Sequence, residues 1–169
     1  MDTGLLVLRL VLGLLMAAHG AQKLFGWFGG PGLAGVSGMF ESLGFRPGRL
    51  FASAAAISEI GSGLLMALGL LGSIGPALML SVMIVAAVSV HAPHGLFAAS
   101  NGIEIPLLYG ISAAALTLTG PGHYSLDALL DLTSLSTSPV SWAALAAGIL
   151  GGALNLALRR RPAAPSVAA

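Results

Sequence analysis

Long apolar runs almost free of charge fix what this chain can fold into. From Leu50 to Gly72 the only ionisable side chain is Glu59, and Ser73–His91 carries no charge. A soluble domain carries about 25% charged residues; here the figure is 8%, against 56% hydrophobic. So few ions cannot clothe a water-facing surface, so the chain belongs in a bilayer. Its 169 residues leave room for four or five spans in one helical domain.

Five apolar segments stand out: Leu5–Phe25, Leu50–Gly72, Ser73–His91, Ile103–Thr119 and Pro139–Leu158, the last stopped by Arg159, Arg160 and Arg161. Backbone amides find no water in hydrocarbon, so each spanning segment is expected to be a helix. The fold class that follows is all-α: a polytopic membrane helical bundle with a four-helix core over 1–130 and an additional fifth transmembrane helix over 139–161. The tail, 162–169, is rich in alanine and proline and reads as disordered. Leu5–Ala18 is apolar like a secretory signal. However, Asp2 stands where a basic flank belongs and Lys23 follows the run, so it reads as a retained span. Phe25, Trp27 and Phe28 suit an interfacial belt. Within the glycine-rich connection Gly26–Arg49, residues Val36–Phe45 place Met39, Phe40 and Leu43 opposite Glu41, the pattern of a short interfacial helix. Ala144, Gly148 and Gly152 recur four apart, as do Ser58 and Ser62, a spacing that lets helices approach closely.

Alternating five spans puts Lys23, Arg46, Arg49 and the three terminal arginines at one end. Asp2, Asp127 and Asp131 fall at the other, with Arg9 inside the first span. That bias makes the basic end cytoplasmic. At ~1.5 Å per residue, His19 lies roughly 9 Å and Glu59 roughly 13 Å from this end. Lys23 is one turn from His19 on the same face. His91 closes the third span at this end and Glu104 opens the fourth. The candidate site is therefore an intramembrane polar pocket of His19, Glu59, Lys23, His91 and Glu104, with Arg9 apart. An ionisable group at such depth costs about 2.5–3.5 kcal/mol, so it is expected to have a partner and a task. Glu59 and His19 are expected to meet at the floor of this pocket, which could bind a quinone head group or relay protons. The same residues could instead be interhelical ties, with Lys23, Glu104 and Arg9 snorkelling to water.

Other chemistry is thin. A net charge of +1 offers nothing to nucleic acid. There is no cysteine, so a thiolate, disulfide or cysteine-held cluster is excluded and any electrons must travel on a bound cofactor. Gly29-Gly30-Pro31-Gly32 lacks the Lys-Ser/Thr ending of a phosphate loop. His91 and His94 are three apart, as in some metal sites, but they flank Pro93 in a turn, and no metal is expected.

Leu8-Arg9-Leu10, His19-Gly20, Gln22-Lys23-Leu24 and Phe25-Gly26 resemble the opening of the DoxX family of bacterial membrane proteins. Glu59 with Gly61 and Gly63 resembles its second helix. His91, Gly95-Leu96-Phe97, Asn101-Gly102, Glu104 and Pro106-Leu107-Leu108 resemble its third loop and fourth helix. Leu118-Thr119-Gly120-Pro121-Gly122, Tyr124-Ser125 and Leu126-Asp127 resemble its closing stretch. The resemblance runs from about Leu5 to Leu130. It implies a small helical bundle in a bacterial inner membrane and a link to redox metabolism, since relatives include a membrane subunit of a thiosulfate:quinone oxidoreductase. The family core has four spans, so Pro139–Leu158 is an addition, and the turn Gly72–Gly75 lacks a basic residue often found there. The reading that follows is a membrane subunit offering a quinone or proton site to a soluble or membrane oxidoreductase partner. Two alternatives remain: a non-enzymatic scaffold that anchors a soluble redox or stress-response partner through Gly26–Arg49 and the basic tail, and a small-solute transporter. The last lacks the repeats and paired broken helices of transporters. Self-association into a homo-oligomer is left open.

Overall fold

With no water to satisfy peptide groups, the apolar segments close their hydrogen bonds internally and break only at glycine, proline or polar turns. The computed structural model describes residues 1–160; Arg161 and the tail read as disordered over 162–169 lie outside the described residues. Seven α-helices follow in order: α1 Asp2–Phe25, α2 Gly32–Ser42, α3 Gly48–Leu68, α4 Ile74–Ala86, α5 Glu104–Thr119, α6 Leu126–Leu129 and α7 Ser138–Ala157. Among the described residues there is no strand. The protein is an all-α membrane helical bundle.

Four helical stretches are long and apolar enough to cross a bilayer: Asp2–Phe25, Gly48–Leu68, Ile74–His94 and Ser138–Ala157. The expected span Ile103–Thr119 is a shorter helix of 16 residues, below the ~20 a membrane crossing needs. It still lines α4 from end to end. Ser73 Oγ donates to the Thr117 carbonyl (2.8 Å) at one end, and His91 Nδ1 lies 2.8 Å from the Asn101 carbonyl at the other. The expected third span also differs in its last turns. After Ala86 the chain widens into a π-helical turn over Ala87–His91, then a 3₁₀ turn over Ala92–His94. Pro93 has no N–H to offer the Ser89 carbonyl in an α ladder, so the regular helix cannot continue through it.

Antiparallel α1 and α3 form the closest pair. A Cβ on Gly13 would stand 2.5 Å from the Gly63 carbonyl oxygen, and one on Gly20 2.6 Å from that of Ala56. A methionine-rich core (Met16, Met66, Met79, Met83, with Ala113 and Leu116) joins α1, α3, α4 and α5. A second cluster of Val36, Phe40, Phe45 and Ala52 seats α2 on α3. The short helix expected over Val36–Phe45 thus starts earlier and packs by Val36 and Phe40. α7 lies on α4 where Gly148 would place a Cβ 2.5 Å from the Ala77 carbonyl oxygen. It starts beside Ser73, through Ser141 Oγ at 3.0 Å, and ends at the opposite face, where Arg160 N–H donates to Gly44 (2.9 Å). The segment therefore traverses the whole bundle. Its outer face, with Trp142, Leu150 and Leu154 exposed, meets lipid.

Candidate functional site: an ion pair between two chambers

Lys23 closes the last turn of α1, and Glu59 stands midway along α3. Helical side chains lean toward the N-terminus of their own helix. On antiparallel helices that tilts Lys23 inward and Glu59 outward until they meet. Lys23 Nζ donates to Glu59 Oε1. The Glu59 side chain is 1% exposed and that of Lys23 27%. Glu59 Oε2 is buried and has no hydrogen-bond partner among the described residues.

The pair forms a wall common to two cavities. The larger, about 270 Å³, lies among α2, α3, α4 and α7. Its wall is mainly apolar (Phe40, Phe51, Val82, Val85), with Ser58, Ser81, Ser89 and Asn155 adding neutral polar groups. The smaller, about 230 Å³, lies among α1, α4 and α5 and is lined by Met16, His19, Met83, His91, Pro106 and Tyr109. Lys23, Glu59 and Ala86 border both. The π-helical turn lets one short stretch serve each side, with Ser89 and Val90 toward the larger chamber and His91 toward the smaller.

The sequence-based site is brought together in part. Glu59, Lys23, His19 and His91 share the smaller chamber. The expected contact between Glu59 and His19 is absent: Lys23 takes that place. His19 is exposed and lines the smaller chamber, with its ring edge-on to Tyr109 at 6.4 Å between centroids. Lys23 does not snorkel. Glu104 lies apart from both chambers, because its Oε2 accepts from the Ala98 N–H (2.7 Å) and closes the preceding loop. His94 Nδ1 lies 3.0 Å from the Val90 carbonyl, engaged with backbone. Among the described residues no three His, Asp or Glu side chains gather as a metal site.

Arg9, at the far end, is 2% exposed rather than snorkelling. Its Nη2 donates to the Tyr124 carbonyl. Nearby Asp127 is fully buried and accepts from the Leu71 N–H (2.9 Å) and the Gly72 N–H. Arg9 thus fastens α1, and Asp127 the α3–α4 turn, to the chain around α6. Tyr109, Ser81 and Asn155 were missed by sequence reasoning; as polar residues inside otherwise apolar helices, they carried a signal that could have found them.

A family model for DoxX matches residues 4–92, just over half of the chain. The chain belongs to the DoxX family. No curated protein and no solved structure matches it. The DoxX match takes in Arg9, His19, Lys23, Glu59 and His91. It stops before α5, whereas the sequence resemblance extends to about Leu130. The wall of the larger chamber is thus built by the DoxX-matched helices together with α7, which lies beyond the match.

Proposed function

We propose that this DoxX protein is the membrane subunit of a quinone-linked oxidoreductase, with the quinone head group bound at Lys23 and Glu59 in the larger chamber. The observation that carries this reading is Glu59 Oε2, a buried acceptor left without a partner beside a mainly apolar cavity. Leaving such an atom unpaired costs about 1–3 kcal/mol, more when it is charged. A ligand hydroxyl answers it. An ammonium group has three donors, and Lys23 spends one on Glu59, so it can also donate to a ligand carbonyl. The pair therefore suits both redox forms of a quinone, whose oxygens accept when oxidised and donate when reduced. The apolar wall suits the chain that such lipids carry. Electrons come from a partner oxidoreductase, and the protein sits in a bacterial inner membrane with its basic end cytoplasmic.

Replacing Glu59→Gln is expected to lower quinone reduction in membranes at unchanged protein abundance. Unchanged activity would remove Glu59 from the mechanism. Mass spectrometry of the protein purified in mild detergent is expected to find stoichiometric quinone. A scaffold role has one observation in its favour: Arg159 Nε donates to the Leu43 carbonyl, joining the basic end of α7 to the Gly26–Arg49 connection. Loss of partner on deleting 159–169, with no effect of Glu59→Gln, would favour the scaffold.

A further inference from the structure

The two chambers differ in chemistry. Every titratable side chain that borders the larger one, Lys23 and Glu59, also borders the smaller. The smaller adds three more: His19 from α1, His91 from the π-helical turn after α4, and Tyr109 from α5. From α2, its C-cap Leu43 and α7 the larger chamber receives only Met39, Phe40, Leu43, Gly151 and Asn155, none of which titrates. A chamber poor in titratable groups is suited to holding an amphiphile. One carrying two imidazoles and a phenol is suited to moving protons.

We infer that the chambers divide the work: the larger holds the ligand, and the smaller is the proton path to Glu59. This rests on the reading of Lys23 and Glu59 as the head-group site. When a bound quinone takes two electrons from the partner oxidoreductase, it must also take two protons. Glu59, a carboxylate paired with Lys23 in the structure, is first protonated through the smaller chamber. Its carboxyl then gives that proton to a quinone oxygen: the O–H bond breaks, a new O–H bond forms on the ligand, and the resulting carboxylate is again held by Lys23. A proton entering past His91 and His19 restores the carboxyl, and a second passage completes the quinol. A volume of about 230 Å³ can hold several waters to bridge these groups. His91 lies where the chain leaves its membrane-spanning helix, so the path opens at the end of the bundle. Tyr109 meets the His19 ring and positions it.

Infrared spectroscopy of the full-length protein in nanodiscs tests this. In samples acidified until the Glu59 carboxyl is protonated, its C=O stretch, assigned by its loss in Glu59→Gln, reports hydrogen–deuterium exchange after transfer to D2O of the same acidity. Absence of the band at every acidity the fold survives overturns Glu59 as the proton donor. His19→Gln, His91→Gln and Tyr109→Leu, which removes the ring against His19, are each expected to slow that exchange by about tenfold or more. Binding of a short-chain benzoquinone, followed by equilibrium dialysis, should stay within about twofold of wild type in these variants, a small change in free energy. Ser81→Leu, which fills the larger chamber, is expected to weaken benzoquinone binding about tenfold or more and leave exchange at the wild-type rate. Exchange at the wild-type rate in all three smaller-chamber variants overturns the inference even where benzoquinone binds. Failure of wild type to bind benzoquinone, with exchange still slowed in the variants, overturns the quinone reading and leaves the proton path standing. Thermal melts identify any variant that fails to fold; with three substitutions on separate elements, the outcome does not hang on one.

Discussion

Gly69 has no side chain because Arg9 occupies the place where one would stand. A Cβ there would overlap Arg9 Nη1, and φ is +64°. Gly69→Ala is therefore expected to destabilise the protein by more than the ~1–2 kcal/mol of a left-handed alanine alone, read as a lower melting temperature in detergent. Asp127 is the complementary case. Its carboxylate gathers two successive N–H groups, Leu71 and Gly72, while its own N–H donates to the Gly69 carbonyl (3.0 Å). Asp127→Ala abandons these donors at about 1–3 kcal/mol each, and Asp127→Asn, which keeps an acceptor, should lose less. The same melts check both, and an unchanged melting temperature in Asp127→Ala would show that the carboxylate is not what holds the turn. At the candidate site, sequence depth brought His19 and Lys23 to Glu59 on the same face, one turn apart. The choice of Lys23 follows from side-chain length and from the N-terminal lean of helical side chains, which act through a neighbouring helix.

The spans themselves were legible, since each is an apolar run with its own stop: Gly26 after α1, Gly69 after α3, Arg159 after α7. Their faces were less so. The small-residue spacing at Gly148 and Gly152 does lie against α4, yet an equally close contact uses Gly13 and Gly20 on α1, seven apart, against Ala56 and Gly63 on α3, also seven apart. Gly13→Leu is expected to cost at least the ~1–3 kcal/mol of overpacking and to separate Lys23 from Glu59. Circular dichroism melts and loss of benzoquinone binding together would register it; a normally stable variant would show that α1 and α3 can part without cost. The π-helical turn was not foreseen. A proline signals that a helix ends, but not whether the preceding turns tighten or widen.

Across the whole molecule, α7 running the full length of the bundle keeps Lys23, Arg46, Arg49, Arg159 and Arg160 at one end. The proposed orientation, with that end cytoplasmic, rests on the positive-inside bias. The absence of cysteine makes a clean test possible. A membrane-impermeant maleimide should label Ser134→Cys in intact cells and Ser42→Cys only after lysis, and the reverse pattern would invert the orientation. Both chambers lie toward the basic end, since Lys23 closes α1 there, so the proposed ligand and proton path open on that side.

By itself the sequence determined that this is a helical membrane protein and which apolar runs become its helices. Hydrophobic run length and the cost of buried charge are properties of one segment in its solvent. Only the tertiary structure decided that Lys23 rather than His19 answers Glu59, that the Glu104 side chain closes the loop before α5, and that a single ion pair divides two chambers. Those outcomes depend on the rotation of each helix about its own axis and on its height beside its neighbours. Close glycine contacts such as Gly13 against Gly63 set both, and no single segment encodes them.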